Sequence, residues 1–444
     1  MVGFGRRTIT GLLTTSGQQF VDWAASYRLF SKARFDSEGL FAVSRRAVAV
    51  ELAENQPLVA VMDDTLIRKR GHKIAGTSWR RDPLGPHFCD NFIWAQRFLQ
   101  IVAALPEKPG PSRARAIPID MRHCPSPHKP RKKAPESEWA QYRQLSEASR
   151  ISVKGQQQIA HLRACLDEDG QGTRQLVLSV DGSFTNSAML RHMPERTTLV
   201  GRIRKDAKLY YPPEFSEGRG RRRYYGDSAP TPEQVRQDDS IPWDTTQAFL
   251  SGQLIEIEYK AISPVRWRAS GPMDLLLVIV RPRAYRLAKG RPLNYRDPIY
   301  LLCSDTGMSL SQLIQAYLWR WEVEVGFRDQ KTLLGSGEAQ VRSVEAVERV
   351  PALIAAVYGF LHLAVARTAK EMDLTSVLPR PRWYPHAPEQ RISTQQAINL
   401  LRAELWGRAL EFENKTDFVK TLAMRTKSSK FPPHLASAIL YAQR

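Results

Sequence analysis

Three acidic residues stand where a metal-dependent active site could form. Asp64 follows an apolar run at 58–62, Asp181 follows a second run at 176–180, and Glu324 lies inside a long helical pattern. Carboxylate oxygens are the ligands that hard divalent cations such as Mg²⁺ prefer. Two such ions about 3.5–4 Å apart can activate an attacking hydroxyl and stabilise the leaving oxygen of a phosphodiester. The sequence therefore predicts phosphoryl transfer if the three carboxylates meet at one point.

The pattern around Glu324 carries the most specific spacing in the chain, Tyr317-x2-Arg320-x3-Glu324-x6-Lys331. At about 100° per residue, the other three members fall within roughly 60° of Tyr317, which predicts one shared helix face. Glu322 lies about 140° from Tyr317 and is the weaker candidate. The cations could hold a DNA phosphate, and the phenol could hydrogen-bond or stack. An ordinary salt-bridged helix face would show the same spacing, so the pattern alone does not decide between the two.

Further basic residues could approach bound DNA. Lys69 closely follows the first aspartate, with a solvated turn as the alternative interpretation. Arg221, Arg222 and Arg223 precede two tyrosines and could grip a phosphate backbone while the tyrosines stack or pack. A flexible charged loop would look the same in sequence.

The composition favours a polyanionic partner. The chain has 444 residues, with 65 Lys plus Arg against 45 Asp plus Glu, and a formal net charge of +20. Such a surplus is typical of proteins that bind nucleic acid or an anionic surface. Apolar residues make up 42% and charged residues 25%, which is the balance of a globular chain and excludes a disordered one.

The sequence gives no reason to expect a membrane or secreted protein. It contains no run of eighteen apolar residues, and its first twenty residues lack the hydrophobic core of a signal peptide. The four cysteines are scattered and form no Cys-x-x-Cys pair, which argues against a zinc ribbon or a disulfide scaffold. We therefore expect a cytoplasmic protein without a membrane partner.

The elements that must position the acidic residues follow an α/β order, with helical patterns in the first 52 residues and after the strands. Strand-like runs occupy 58–62, 92–105, 116–119, 176–180, 198–203 and 299–302. Helical patterns occupy 137–166, 187–192, 309–334 and 344–370. Runs at 254–259 and 275–280 lie in a block that we interpret as an insertion. Because α/β folds place chemistry at strand ends, this order favours a shared site for the two aspartates.

Together these motifs resemble the DDE transposases of bacterial insertion sequences, in the group marked by the Tyr-x2-Arg-x3-Glu-x6-Lys pattern. The motifs at 63–65 and 180–183 and the spaced quartet stand in the family's order, and the stretch 200–206 is also similar. The resemblance spans roughly residues 15–370.

The resemblance implies an α/β fold built on a ribonuclease-H-like catalytic domain that a β-rich insertion interrupts. In this chain we expect a helical, DNA-binding N-terminal region at 1–52 and a catalytic domain in two parts, at 53–204 and 298–372. The insertion would occupy 205–297, and a helical C-terminal region would occupy 373–444.

The resemblance also implies which residues act. Asp64, Asp181 and Glu324 would be the catalytic metal ligands for Mg²⁺, with Mn²⁺ able to substitute. Asp63 is a competing choice for the first ligand, and we select Asp64 because the family pattern places the ligand directly before Thr65.

The implied activity is DNA cleavage at the terminal inverted repeats of a mobile element, followed by transfer of the 3′-OH ends to target DNA. Tyr317, Arg320 and Lys331 would contact the DNA end. Because two ends must be joined, a homodimer on DNA is also implied.

Two other functions stay open. A transposase-derived chain can lose catalysis and act as a DNA-binding regulator, although the complete acidic triad argues against it. A ribonuclease-H-like nuclease without strand transfer is the second alternative, and the Tyr-Arg-Glu-Lys spacing disfavours it.

Overall fold

The structure is a computed structural model that describes residues 1–410 except positions 2, 33, 87, 215–222, 288–289, 340 and 379–390. The side chains of 408–410 are also outside the description. Arg221 and Arg222, which the sequence nominates as DNA contacts, lie outside the described residues.

The described residues form an α/β fold, as predicted. The strands are β1 (Leu58–Arg68), β2 (Ser78–Arg81), β3 (Phe92–Pro106), β4 (Ala114–His123), β5 (Leu176–Val180), β6 (Thr197–Arg202), β7 (Leu209–Tyr210), β8 (Ser228–Ala229), β9 (Asp244–Leu250), β10 (Gln253–Trp267), β11 (Asp274–Val280), β12 (Ala284–Tyr285), β13 (Asn294–Tyr295) and β14 (Ile299–Cys303). The helices are α1 (Ile9–Thr15), α2 (Ala24–Ser31), α3 (Ser37–Glu51), α4 (Glu136–Ala148), α5 (Ile151–Glu168), α6 (Ser187–Leu190), α7 (Pro232–Gln237), α8 (Leu310–Leu318), α9 (Trp321–Thr332), α10 (Val344–Glu371) and α11 (Thr394–Leu410).

One mixed sheet of twelve strands organises the molecule. Its order is β2-β3-β1-β5-β6-β14-β11-β10-β7-β8, with β4 also paired to β3 and β9 to β10. Strands β1, β3 and β4 form an antiparallel meander, whereas β5 runs parallel to β1 and β6 parallel to β5. The parallel pairs follow helical connections, which is how parallel strands are joined.

The central strands are buried on both faces, which explains their continuous apolar sequences. On one face, Ala60 and Met62 of β1 pack in a core cluster with Ile159 and Leu162 of α5. On the other face, Val61 packs with α9. Because side chains alternate along a strand, this division also decides where the polar residues that follow will lie.

The predicted helix over 309–334 is wrong in one respect, because it is two helices. Between α8 and α9 the backbone N–H groups of Arg320, Glu322 and Val323 donate to carbonyls three residues back, which marks a tighter 3₁₀-like turn. Tertiary contacts hold each side of this turn. Trp319 Nε1 donates to Ser112 O at 2.7 Å on the α8 side, and Val323 packs against β1 on the α9 side. The predicted helix over 137–166 is likewise divided, into α4 and α5.

The segment predicted as an insertion is rich in strands, but its strands β7–β11 extend the same sheet. Only β12 and β13 form a separate two-stranded sheet among the described residues. The domain boundaries given above therefore stay predictions.

Helix α10 is the one described helix that is long and apolar enough to cross a membrane. Most of its apolar window, 61%, is buried inside the protein. It packs on β4, where Gly359 allows close approach to Ile117 and Pro118, so α10 behaves as a core helix of this fold.

Candidate active site

The pairing of β1 with β5 brings two aspartates side by side. The parallel register pairs Leu58 with Leu176 and Val61 with Ser179. Two residues further along both strands, the same register reaches Asp63 and Asp181. The negative charge of Asp181 acts on Asp63 strongly enough to help raise the pKa of the Asp63 carboxyl.

Helix α9 adds a third carboxylate through an arginine. Arg320 Nη1 lies 3.6 Å from Asp63 Oδ2, and Arg320 Nη2 donates to Glu324 Oε1 at 2.8 Å. The helix lies here because its apolar residues Val323 and Phe327 pack with Val61, two residues before Asp63 on the same face of β1. Arg320 therefore links the strand carboxylate to the helix carboxylate.

Asp64, which the sequence analysis selected as the ligand, faces the other side of β1. Its two carboxylate oxygens accept from Arg97 Nη2 at 2.9 Å and from Arg97 Nε at 2.7 Å. This bidentate pair occupies the carboxylate. The geometry therefore favours Asp63 over Asp64, because strand alternation turns neighbouring side chains to opposite faces.

A turn fixes the position of Asp181. Its Oδ1 accepts from the backbone N–H of Ser183 at 2.9 Å and from the Ser183 hydroxyl at 2.6 Å. The Thr185 hydroxyl donates to the Asp181 carbonyl at 3.0 Å, and Phe184 is fully buried beneath the turn. The sequence Asp-Gly-Ser after a buried strand thus anchors a carboxylate whose other oxygen can still take a ligand.

The electrostatics of the site favour a bound cation. Burial, and then the neighbouring Asp181, raise the pKa of Asp63 to about 7, and Arg320 only partly opposes this. The candidate donors are all carboxylate oxygens, the set that suits hard divalent ions. A cation between Asp63 and Asp181 would remove their repulsion, so the residues present fit a divalent metal.

The three acidic groups are not drawn tightly together, since Arg320 holds Glu324. Within the part of the chain that the structure describes, one trio of possible ligands has all its ligand atoms within 4.8 Å of one another, namely Glu38, His161 and Cys165. In that trio Arg45 Nη1 donates to Glu38 at 2.6 Å, and burial raises the pKa of the Cys165 thiol to about 11. Both features disfavour a metal there.

Among the other members of the quartet, Tyr317 lies near Arg320, whereas the carboxylates that act on Lys331 are those of Asp64 and Asp82. The Arg320 guanidinium is 5.9 Å from the centre of the Tyr317 ring, and burial raises the pKa of the Tyr317 phenol. Lys331 lies two turns further along α9 with its ammonium 6.0 Å from the Phe327 ring, and burial lowers its pKa. Arg320 thus lies near Tyr317 and bonds to Glu324 despite the turn between the helices.

Glu322, the weaker helix candidate, points elsewhere. Its Oε2 accepts from Arg391 Nη2 at 3.3 Å, and burial raises its pKa. The structure therefore separates Glu322 from the Asp63–Asp181 pair, as the helical wheel predicts.

Two nominated basic residues differ in their surroundings. The Lys69 ammonium donates to the carbonyls of Gly337 at 3.4 Å and Ala339 at 3.2 Å, and burial lowers its pKa to about 8. Lys69 therefore holds the loop after α9. Arg223 is exposed at the end of an undescribed segment. Contact of either residue with DNA stays a prediction.

A cavity of about 1060 Å³ opens beside Asp181, between its turn and the strand-rich segment. Gly182 and Thr185 line one side, and Trp267 lines another. Its charged lining comprises Arg202, Arg204, Lys205, Asp206, Glu233, Arg236, Arg296 and Asp297. Arg204 pairs with Asp206 and Arg236 with Glu233, so that Arg202 and Lys205 have no carboxylate partner among the described residues.

No local sequence pattern marks this cavity as a whole. Only the stretch 200–206, which is similar to the family pattern, indicates part of its wall. The walls contributed by Arg236, Trp267 and Arg296 come from distant parts of the chain and have no local signal.

The family model described as DDE superfamily endonuclease matches residues 1–271, more than half of the chain. The match contains Asp63, Asp64 and Asp181 and ends before the helix that carries Glu324. Comparison with curated proteins gave no match.

Proposed function

The chain belongs to the DDE superfamily of endonucleases, and on that premise we propose that it is a transposase. In this proposal it binds the terminal inverted repeats of its mobile element, cleaves DNA there and transfers the 3′-OH ends to target DNA. It works in the bacterial cytoplasm as a homodimer on DNA. The strongest support is the contact of Arg320 with Asp63 and Glu324 at the edge where Asp181 ends its strand.

The topology supports a ribonuclease-H-like core. An antiparallel meander of β1, β3 and β4 continues in parallel through β5 and β6, with helices on both faces. This order of a meander followed by strands that helices connect is what supports the proposed core.

We assign Asp63, Asp181 and Glu324 as the ligands of divalent ions, Mg²⁺ with Mn²⁺ as a substitute, and Asp63 replaces Asp64 in this role. When bound, two such ions would activate the attacking hydroxyl and stabilise the leaving oxygen.

The protein's own groups would position the DNA. Arg320 and Lys331 offer cationic donors to phosphate oxygens, and the Tyr317 hydroxyl offers a further hydrogen bond. The unpaired Arg202 and Lys205 in the large cavity would hold the backbone that leads to Asp181. Positioning and charge stabilisation then lower the barrier for in-line displacement.

The experiment is a cleavage assay on a plasmid that carries the DNA flanking the protein's own gene. We expect cuts at the gene-flanking repeats with Mg²⁺ and none with EDTA, and joined products would establish strand transfer. Glu324→Gln removes a charged ligand at constant size, and we expect it to lose cleavage while it still binds the repeats.

Glu322→Gln is the matched control, because it makes the same change two residues away on the same helix. Glu322 accepts from Arg391 and points away from the Asp63–Asp181 pair, so we expect near wild-type cleavage. Mg²⁺-dependent cutting by Glu324→Gln would refute the assignment of Glu324 as a metal ligand. Tight binding without cutting under any condition would favour the DNA-binding regulator, and cutting without joined products would favour a nuclease.

A further inference from the structure

A second cavity, of about 190 Å³, lies on the opposite side of β1 from Asp63. It is bounded by strands β2 and β3 and by the junction of α4 with α5. Its polar lining includes Arg80, Arg97, Tyr142, Ser146, Ser149 and Arg150, and we call it the Arg80 pocket. The family match assigns no role to this pocket, and the proposed cleavage chemistry does not involve it.

Arg80 brings an unbalanced positive charge into this pocket. Its Nη2 donates to Ser126 Oγ at 2.9 Å and more weakly to the Cys124 carbonyl at 3.4 Å. Its Nε is buried and has no hydrogen-bond partner, and no described carboxylate lies within ion-pair distance of the guanidinium. Arg80 as a whole is half-buried, but a buried guanidinium nitrogen without a partner is costly, and an anion in the pocket would provide that partner.

The neighbouring cation does not relieve this charge. Arg97 lines the same pocket, and Asp64 pairs with it in a bidentate manner, so the local acid is already engaged. Burial lowers the pKa of Arg80, repulsion from Arg97 lowers it further, and attraction to Asp64 only partly opposes them.

The remaining walls are rich in donors. The 18-residue helix α5 begins here, and its N-cap residue Arg150 provides no side-chain cap, so its first backbone N–H groups carry the positive end of the helix dipole. The hydroxyl groups of Tyr142 and Ser146 can also donate to an anion, whereas the Ser149 hydroxyl donates to the Ser146 carbonyl at 3.1 Å. Arg150 is exposed and lies 3.6 Å from Glu147, a loose surface pair.

We propose that the Arg80 pocket binds a phosphate group, and that its source is the backbone of DNA. The volume equals about six water molecules, enough for a tetrahedral anion with some hydration. The loop that continues from Ser126 carries exposed Lys129, Arg131, Lys132 and Lys133, which extend positive charge outward from the pocket as a polyanion requires. A free phosphate ester has the same chemistry and is the alternative source. Only the choice of DNA rests on the proposed function.

The first arm of the test uses inorganic phosphate and the purified full-length protein. Thermal unfolding is followed with increasing phosphate at constant ionic strength set by chloride. We expect phosphate to raise the melting temperature of the wild type but not that of Arg80→Gln. Arg81→Gln is the matched control, because Arg81 is the next residue of β2, is exposed and pairs with Asp90. Equal stabilisation of wild type and Arg80→Gln, or none in either, would overturn the proposal.

The second arm distinguishes the two sources of phosphate. Binding of a fluorescent duplex is measured across a salt series, and one lost phosphate contact should reduce the slope of log K against log salt by about 0.9. We expect this reduction for Arg80→Gln and not for Arg81→Gln. Loss of phosphate stabilisation with an unchanged slope would keep the pocket as a site for free phosphate and would overturn DNA as its ligand.

A second variant guards against misfolding of Arg80→Gln. Arg150→Gln changes an exposed rim residue and should fold normally, and we expect it to weaken phosphate stabilisation in the same direction. If phosphate raised the melting temperatures of Arg150→Gln and of folded Arg80→Gln as much as that of the wild type, the proposal would be overturned. Neither arm measures cleavage, so failure of the proposed endonuclease activity would be distinguishable from failure of the pocket.

Discussion

Asp63 and Asp64 are adjacent in the chain but have different partners. Asp63 faces Asp181 and the Arg320–Glu324 pair, and Asp64 is held by Arg97 on the opposite side of β1. A carboxylate that is buried beside another carboxylate is suited to a metal, and one in a bidentate ion pair is suited to holding structure. In our proposal Asp63 therefore has the catalytic role and Asp64 a structural one.

The structural role of Asp64 gives a stability prediction. Asp64→Asn leaves Arg97 without its counterion beside Arg80, and we expect the free energy of unfolding to fall by about 1–3 kcal/mol. Urea denaturation measures it. Asp90→Asn breaks an exposed pair with Arg81 and should change stability by less than about 0.5 kcal/mol. Equal stability of Asp64→Asn and wild type would contradict this role.

The raised pKa of Asp63 predicts that the stability of the protein depends on pH when divalent ions are absent. Its folded-state pKa, about 7, lies above the ordinary value of 3.8, so the folded state holds the proton more tightly. This contribution to stability is complete below about pH 4 and is lost as the pH rises through 7. With EDTA present, the free energy of unfolding of wild type relative to Asp63→Asn should therefore decrease between pH 4 and 8. A constant difference would show that the Asp63 pKa is not raised.

The residue types at the site were predictable from the sequence, but the choice between the two aspartates was not. The strand-end positions of Asp64 and Asp181 and the spacing around Glu324 are local patterns. Which face of β1 meets α9 depends on the packing of Val61 with Val323 and Phe327, residues far apart in the chain. No local pattern around Asp64 indicates the packing of Val61 with Val323 and Phe327, which decides the face that meets α9.

At the scale of elements, a buried hydrogen-bond chain joins four of them around the back of α9. Arg115 of β4 donates to His362 Nδ1 of α10 at 3.2 Å, which assigns the ring proton to Nε2. His362 Nε2 then donates to the Thr394 hydroxyl of α11 at 3.2 Å, and that hydroxyl donates to Asp329 of α9 at 2.5 Å. Burial holds the pKa of His362 well below its usual value, in agreement with a neutral ring.

The hydrogen bonds through Thr394 predict the effect of one isosteric substitution. Thr394→Val removes the hydroxyl at nearly constant volume and takes away the partner of Asp329 Oδ2 and of His362 Nε2, so we expect a loss of about 1–3 kcal/mol in unfolding free energy. Chemical denaturation would measure it. Thr368→Val is the control, since its hydroxyl bonds only to the Ala364 carbonyl of its own helix. A similar small effect for both variants would mean that these hydrogen bonds do not hold α11 in place.

The elements themselves were predicted well where their patterns are local. The apolar runs of β1, β5 and β14 and the long periodic helix α10 lie where the sequence indicated. The break between α8 and α9 has no local breaker such as proline, and it is held by the distant contact of Trp319 with Ser112. The four-residue strand β2 forms through pairing with β3, and its sequence, Ser-Trp-Arg-Arg, carries little strand pattern.

At the scale of the whole molecule, the single sheet brings distant parts of the chain to one site. Asp63 and Asp181 follow adjacent strands, while Glu324 comes only after the chain has added β7–β11 and β14 to the same sheet. The basic balance of the chain gives this site a surrounding field that attracts a polyanion. A phosphate pocket on one side of β1 and an acidic site on the other are both compatible with DNA passing around this edge.

The most direct test of the account compares Asp63→Asn with Asp64→Asn in Mg²⁺-dependent nicking of a supercoiled plasmid that carries the gene-flanking DNA. Activities are normalised to the folded fraction measured by circular dichroism, which separates the stability loss of Asp64→Asn from any catalytic loss. We predict that Asp63→Asn falls to the EDTA background and that Asp64→Asn keeps most of the wild-type rate per folded molecule. Cleavage by Asp63→Asn with none by folded Asp64→Asn would contradict the site described here.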